Sequence, residues 1–167
     1  MGNIGKKVAK LADAFGMKVL YWSRTRTKNK YKYASFEDVL KKSDIISIHL
    51  PYLPETHHLI DAQAFEWMKP HALLINTARG TIIDQDILYK KLENKDIAGF
   101  GADVLEAEPP MANDPLLTHP KALITAHIGS LTATTYTKMC VSTVQNVLAI
   151  LAGKEPQVES VFNRKEL

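Results

Sequence analysis

Short apolar runs alternate along this chain with stretches in which apolar residues recur every three or four positions. Lys18–Trp22, Asp44–His49, Ala72–Asn76, Ile97–Val104 and Ala122–Thr125 read as strands, each a compact apolar run bounded by polar, glycine or proline residues. Between them, Val8, Leu11, Ala12 and Phe15 fall at helical spacing, with Gly16 placed to end that helix. Ser35 is placed to cap a helix over Phe36–Lys42, with Glu37 and Asp38 in its first turn. Asp61 predicts the start of a helix running to about Met68, and Asp84–Leu92 forms another. Ser130 is expected to cap a long last helix carrying Val141, Val144, Val147, Leu148 and Leu151, ended by Gly153.

Strands separated by helices throughout predict an α/β fold, a doubly wound parallel sheet with helices on both faces. Ligands of such sheets sit at the carboxyl ends of the strands. Ser23, His49, Asn76 to Arg79, Asp103 and His127 all fall at those predicted ends. There is no internal repeat and no low-complexity segment.

The length suits one domain with a sizeable core. The net charge of +3 is too mild to argue for nucleic acid. The basic residues bunch at Arg24, Arg26, Lys28, Lys30 and Lys32, interleaved with Tyr31 and Tyr33; a solvated loop or a phosphate site fits that run better than RNA does. Cys140 is the only cysteine, so no internal disulfide forms. No signal-peptide pattern or membrane-length apolar run is present, and a cytoplasmic protein is expected. No histidine or cysteine pair has ligand spacing on one element, so a metal is not expected.

Gly2-Asn3-Ile4-Gly5 matches the second half of the dinucleotide fingerprint, in which one glycine admits a pyrophosphate and the next admits close helix packing. At the end of the following strand, where an acid would hold the adenosine ribose, stand Ser23-Arg24-Thr25-Arg26. A carboxylate there repels a 2′-phosphate, whereas a hydroxyl and two guanidinium groups attract one. NADPH is therefore expected over NADH; the plain alternative is a soluble turn.

Arg79 follows a buried strand, with Gly80 free to turn after it. That is a poor place for a merely solvated charge, and the forked permanent charge of Arg79 suits a carboxylate or a carbonyl. Asp103 ends a glycine-bearing strand and can accept a hydrogen bond from a nicotinamide carboxamide. His127 can pass a proton near neutral pH, and a carboxylate beside it would orient it. Glu106 and Glu108 both qualify, and spacing does not choose between them. Of the other histidines, His57, His58, His71 and His119 fall in loops or helix starts, and His49 reads as a neighbour of cofactor. An arginine, a carboxylate and a histidine at strand ends are the equipment for reducing a 2-keto acid with a nicotinamide.

Taken in order, these segments resemble the D-isomer-specific 2-hydroxyacid dehydrogenase family, in particular its glyoxylate and hydroxypyruvate reductase branch. The resemblance runs through Gly2–Gly5, Ala14–Val19, Ser23–Thr25, His49–Pro51, Glu55–Ile60, Ile75–Gly80, Ala102–Val104, Glu106–Pro109 and Thr125–Ser130. It implies a Rossmann-like nucleotide domain and NADP or NAD as cofactor, with a small 2-keto or 2-hydroxy acid as substrate. It implies that Arg79 binds substrate, that Glu108 rather than Glu106 is the catalytic glutamate, and that His127 is the proton donor. Asn3, Ile4, Leu50, Pro51, Thr56, Thr77, Ala78, Asp103 and Gly129 match positions lining the cofactor, alongside Gly2, Gly5, Ser23, Arg24, Thr25 and Arg26.

The family's first strand, its first fingerprint glycine and its amino-terminal substrate domain have no counterpart here. That strand is central in the family's sheet, so a gap between its neighbours is expected. The division implied is a nucleotide domain over residues 1–153 and a tail over residues 154–167 that would return to the substrate domain. A second chain or further segment carrying that domain is an expected partner; nucleic acid and membrane are not. Family members are usually homodimers. The competing readings are a dinucleotide-binding or scaffold protein without turnover, and an inactive fragment.

Overall fold

The computed structural model describes residues 1–157; the end segment Val158–Leu167 lies outside the described residues. The chain divides into a compact unit over Met1–His127 and a second that begins at Ile128.

The first unit opens with helix α1 (Asn3–Ala14). Gly16 ends it with φ +78°, while Met17 N–H donates to Ala12 O and Gly16 N–H to Asp13 O. This is a left-handed glycine stop that satisfies carbonyls the helix cannot. Strands β1 (Leu20–Tyr21) and β2 (Lys32–Tyr33) follow, then α2 (Phe36–Lys42), β3 (Ile45–Ile48), α3 (Ala62–Glu66), β4 (Leu73–Asn76), α4 (Gln85–Glu93), β5 (Gly99–Ala102) and β6 (Ala122–Ile124). The expected caps at Ser35 and Asp61 hold, their side chains accepting from Asp38 N and Ala64 N, while Asp84, expected as the first helical residue, caps α4 by accepting from Ile87 N.

All strand pairings are parallel. They form two sheets, β1-β2 and β3-β4-β5-β6, and β1 does not pair with β3. β2 has no counterpart in the expected elements; two residues, one of them an exposed lysine, give no apolar run to read.

One face of the larger sheet makes the core. Ile46, Ile48, Leu74, Phe100 and Ala102 pack with Leu40 of α2, Phe65 of α3, Met68 just after it, and Leu88 and Leu92 of α4. Each such large side chain contributes about 1.5–3 kcal/mol on burial. Ile45, Leu73 and Leu123 on the other face are exposed, as are Leu11 and Phe15 of α1. Of α1 only Gly5 and Ala9 are buried, and neither belongs to the helically spaced set Val8, Leu11, Ala12 and Phe15.

The second unit holds α5 (Ala133–Leu151), none of whose residues is buried. Its cap is Thr132, not Ser130: the Thr132 hydroxyl accepts from Thr135 N, while Ser130 lies in the preceding turn. Both are good caps by type, and geometry alone separates them. Gly153 ends the helix with φ +67°, as expected.

Candidate active site

Four parallel strands in the order β3-β4-β5-β6 bring their carboxyl ends to one edge. The segments leaving that edge carry His49 to Thr56, Thr77 to Arg79, Asp103 to Glu108, and Thr125 to His127.

After β4 the chain turns around Asn76. This residue is fully buried; its Nδ2 donates to Arg79 O at 2.9 Å and its Oδ1 accepts from Ala78 N at 2.9 Å. One amide side chain therefore fixes the loop Thr77–Arg79. The sequence presents Asn76 only as the end of a strand, and its polar side chain in an apolar run is the available signal. The Arg79 guanidinium is exposed, with Nη1 donating to Ala78 O at 2.6 Å.

Gly80 does not serve the turn by left-handed geometry, as its expected freedom to turn suggested. A Cβ there would lie 1.9 Å from Leu105 O and 2.4 Å from Glu106 N. The backbone after Arg79 is thus pressed against the backbone of the loop after β5, and only glycine fits.

That loop separates its two glutamates. Glu106 turns inward: its Oε1 lies 2.7 Å from His58 Nε2, and its backbone N–H donates to Gln85 Oε1 at 3.1 Å. It clamps the loop to the start of α4 and to the segment after β3. Glu108 turns outward, and its Oε2 lies 3.1 Å from His127 Nδ1. Both side chains of that pair are partly exposed, at 39% and 50%, so solvent and a small molecule reach them. His127 holds φ +53°, a left-handed conformation that costs a non-glycine residue about 1 kcal/mol or more. Arg79 and the His127–Glu108 pair thus stand at the ends of β4 and β6, with β5 between them.

Asp103, at the end of β5, is buried; it accepts from the Thr125 hydroxyl at 2.5 Å, and its N–H donates to Asn76 O. After β3, Leu50 and Pro51 lead into a short 3-10 turn over Pro54–Thr56. Thr56 is buried; its hydroxyl accepts from Leu53 N at 2.8 Å and lies 2.9 Å from Pro51 O. Its side chain is engaged in shaping the loop that carries Leu50 and Pro51. Gly129 belongs to the second unit.

The start of α1 carries Gly2 as its cap residue, with no side-chain cap and no acid in the first turn. Its amide groups are left for an anion, and nothing lies within 4 Å of where a Gly2 Cβ would be. Gly5 is buried, and a Cβ on it would lie 3.7 Å from the His49 side chain. His49 therefore packs beside the helix start, and burial holds its pKa below the ordinary value.

In the turn after β1, the Ser23 hydroxyl donates to Thr25 O at 2.7 Å and accepts from the Met1 ammonium at 3.2 Å. The same ammonium donates to Thr27, a residue that no sequence motif marks. Arg24 pairs with Glu55 at 2.7 Å, and Arg26 lies over the Tyr33 ring at 5.4 Å. The two guanidinium groups are thus held by different partners.

The parallel strand edge, the bare start of α1 and the turn after β1, rich in hydroxyl and guanidinium groups, have the architecture of a dinucleotide-binding α/β domain. The family model described as D-isomer specific 2-hydroxyacid dehydrogenase, NAD binding domain, matches residues 1–129. The chain belongs to this family. It is 41% identical over 161 residues to the glyoxylate reductase of Aeropyrum pernix, covering 93% of this chain and 48% of that protein. The glyoxylate reductase of Thermococcus litoralis is also 41% identical, over 160 residues, with the same shares covered.

Among solved structures, a protein from Thermus thermophilus superposes with a TM-score of 0.90 at 44% identity, covering 93% of this chain and 50% of that one. D-lactate dehydrogenase from Aquifex aeolicus, complexed with NAD and lactic acid, gives 0.88 at 34% identity, covering 97% of this chain and 54% of that one. The chain spans about half the length of the curated relatives it matches. No helix among the described residues is long and apolar enough to cross a membrane.

Proposed function

We propose that this chain supplies the cofactor site and the catalytic set of an NADP(H)-preferring oxidoreductase that reduces a small 2-keto acid such as glyoxylate or hydroxypyruvate. The observation that carries the reading is the 3.1 Å pairing of His127 Nδ1 with Glu108 Oε2 at the strand edge that also presents Arg79.

The residues fit a nicotinamide dinucleotide. The backbone of Gly2 to Gly5 suits the pyrophosphate, and Ser23 to Arg26 suit the adenosine ribose and its 2′-phosphate. Leu50, Pro51, Thr77, Ala78 and Asp103 border the path toward the nicotinamide end, where bound NADPH supplies the hydride. Glu108 accepts a hydrogen bond from Nδ1–H of His127 and so fixes the ring. With the ring doubly protonated as the imidazolium, Nε2–H is the donor presented to the substrate; it gives its proton to the keto oxygen as hydride reaches the keto carbon, leaving a neutral ring with Nδ1–H still bonded to Glu108. Arg79 pairs with the substrate carboxylate through its fork and steadies the developing alkoxide. The Asn76 clamp holds the Arg79 loop in place before substrate arrives.

The test is thermal unfolding of the purified chain with NADPH and, in parallel, NADH, followed by NADPH oxidation with glyoxylate and hydroxypyruvate. At a hundredfold excess over Kd a bound nucleotide stabilises by about 2.7 kcal/mol, a rise of several degrees in Tm. A larger rise with NADPH than with NADH, and turnover lost in His127→Gln, are the expected results. Nucleotide binding without turnover, even when a substrate domain is supplied as a second chain, points instead to a dinucleotide-binding protein. No shift with either nucleotide overturns the cofactor reading itself.

A further inference from the structure

Arg24 is the guanidinium of the Ser23–Arg26 turn that is already ion-paired. Its Nη1 lies 2.7 Å from Glu55 Oε1, with both side chains partly exposed, at 41% and 59%. Arg26 is engaged differently, over the face of Tyr33. Among the described residues Glu55 is the one carboxylate paired to this turn.

The carboxylate arrives from another element. Glu55 sits in the 3-10 turn Pro54–Thr56, which the buried hydroxyl of Thr56 ties to Leu53 and Pro51. Proline fixes the backbone at the start of that turn. The segment after β3 therefore presents Glu55 to the turn after β1 from a braced loop.

From this geometry we infer that Glu55 is a specificity-determining residue that masks Arg24 and holds down the preference for NADPH over NADH; the inference rests on the proposed role of Arg24 at the 2′-phosphate. A 2′-phosphate near neutral pH carries about −1.5 to −2 charge and seeks guanidinium partners. To engage Arg24 it must displace a carboxylate already bonded there. It then sits beside the carboxylate it has displaced, and the two anions repel. NADH carries only hydroxyls at that position and meets neither cost. An exposed pair of this kind is weak and salt-screened, so Glu55 tunes the preference without abolishing it.

The experiment measures Kd for NADPH and NADH by nicotinamide fluorescence on the full chain, in the parent, Glu55→Gln, Arg24→Ala and the double variant. Glu55→Gln keeps the size of the side chain and removes its charge. Its expected effect is NADPH binding tightened by about twofold to fivefold with NADH affinity unchanged. The gain shrinks when Arg24 is already alanine, and it shrinks in high salt.

An unchanged NADPH-to-NADH ratio in Glu55→Gln overturns the masking role. So does weaker NADPH binding, which would make Glu55 a brace that aims Arg24. If Arg24→Ala leaves NADPH affinity unaltered in both backgrounds, the underlying reading of Arg24 at the phosphate fails, and the masking role with it.

Discussion

Glu108 Oε2 stands 3.1 Å from His127 Nδ1, while Glu106, two residues earlier on the same loop, bonds His58 instead. The loop thus divides its two carboxylates between an exposed histidine that can meet substrate and a half-buried one that anchors the backbone. His127→Gln removes the proton donor and is expected to lower kcat for glyoxylate reduction by about 10²–10⁴. Glu108→Gln keeps a hydrogen-bond acceptor but loses the charge, and a fall of at least about tenfold is expected. Nucleotide affinity should stay within about twofold in both variants, because neither side chain lies on the proposed phosphate path. Steady-state kinetics beside a direct nucleotide titration checks this; an equal loss of nucleotide binding would remove the catalytic assignment.

Asn76 carries the Arg79 loop through two hydrogen bonds from a fully buried amide. Asn76→Ala leaves Ala78 N–H and Arg79 C=O without those partners and opens a small cavity. A loss of about 1–3 kcal/mol is expected. Chemical denaturation reads that loss, and the KM for the keto acid should rise as Arg79 loses its fixed mounting. Asn76→Asp would keep the acceptor for Ala78 N–H but set a carboxylate against Arg79 O, so it should not rescue the variant.

Gly80→Ala tests the close approach between the two catalytic loops. The added methyl group would lie 1.9 Å from Leu105 O, a contact with backbone that cannot swing aside. The expected cost is about 1–3 kcal/mol or more, as for overpacking in a tight core. Displacing Leu105 and Glu106 also shifts Glu108, so activity should fall beyond what the lost stability explains. A variant with parent-like melting would show that the loops separate easily.

How much of this was legible in the sequence depended on how local each feature is. The caps at Ser35 and Asp61 and the glycine stops at Gly16 and Gly153 were readable because each acts within a few residues of itself. The order of strands and helices was readable from apolar runs, and it placed Arg79 and His127 at strand ends. β2 was not legible, since two residues held by a neighbouring strand leave no pattern of their own. The division between Glu106 and Glu108 was not legible from spacing either. It depends on His58 and Gln85, which the fold brings in from distant positions. Periodicity placed Leu11 and Phe15 on one helix face but does not report what covers that face, and both are exposed.

His49 makes the fold respond to acid in a direction that can be worked out. Its ring sits beside the start of α1, with Nε2 2.9 Å from Ser47 Oγ, and burial holds its pKa below the ordinary 6.5. Between that lowered value and 6.5 the unfolded chain binds more protons at this residue than the folded chain does. Stability from neutral His49 is therefore complete above about pH 6.5 and is lost as pH falls through the folded-state value. His49→Gln keeps a polar side chain that does not titrate. On going from about pH 7.5 to about pH 5.5 the parent Tm should fall further than that of the variant. Melting curves of both proteins across that range decide the point. Parallel falls would mean that His49 takes up its proton without disturbing the helix start. A steeper fall in the parent, reduced by saturating NADPH, would place the neutral ring beside the nucleotide as well as beside Gly5.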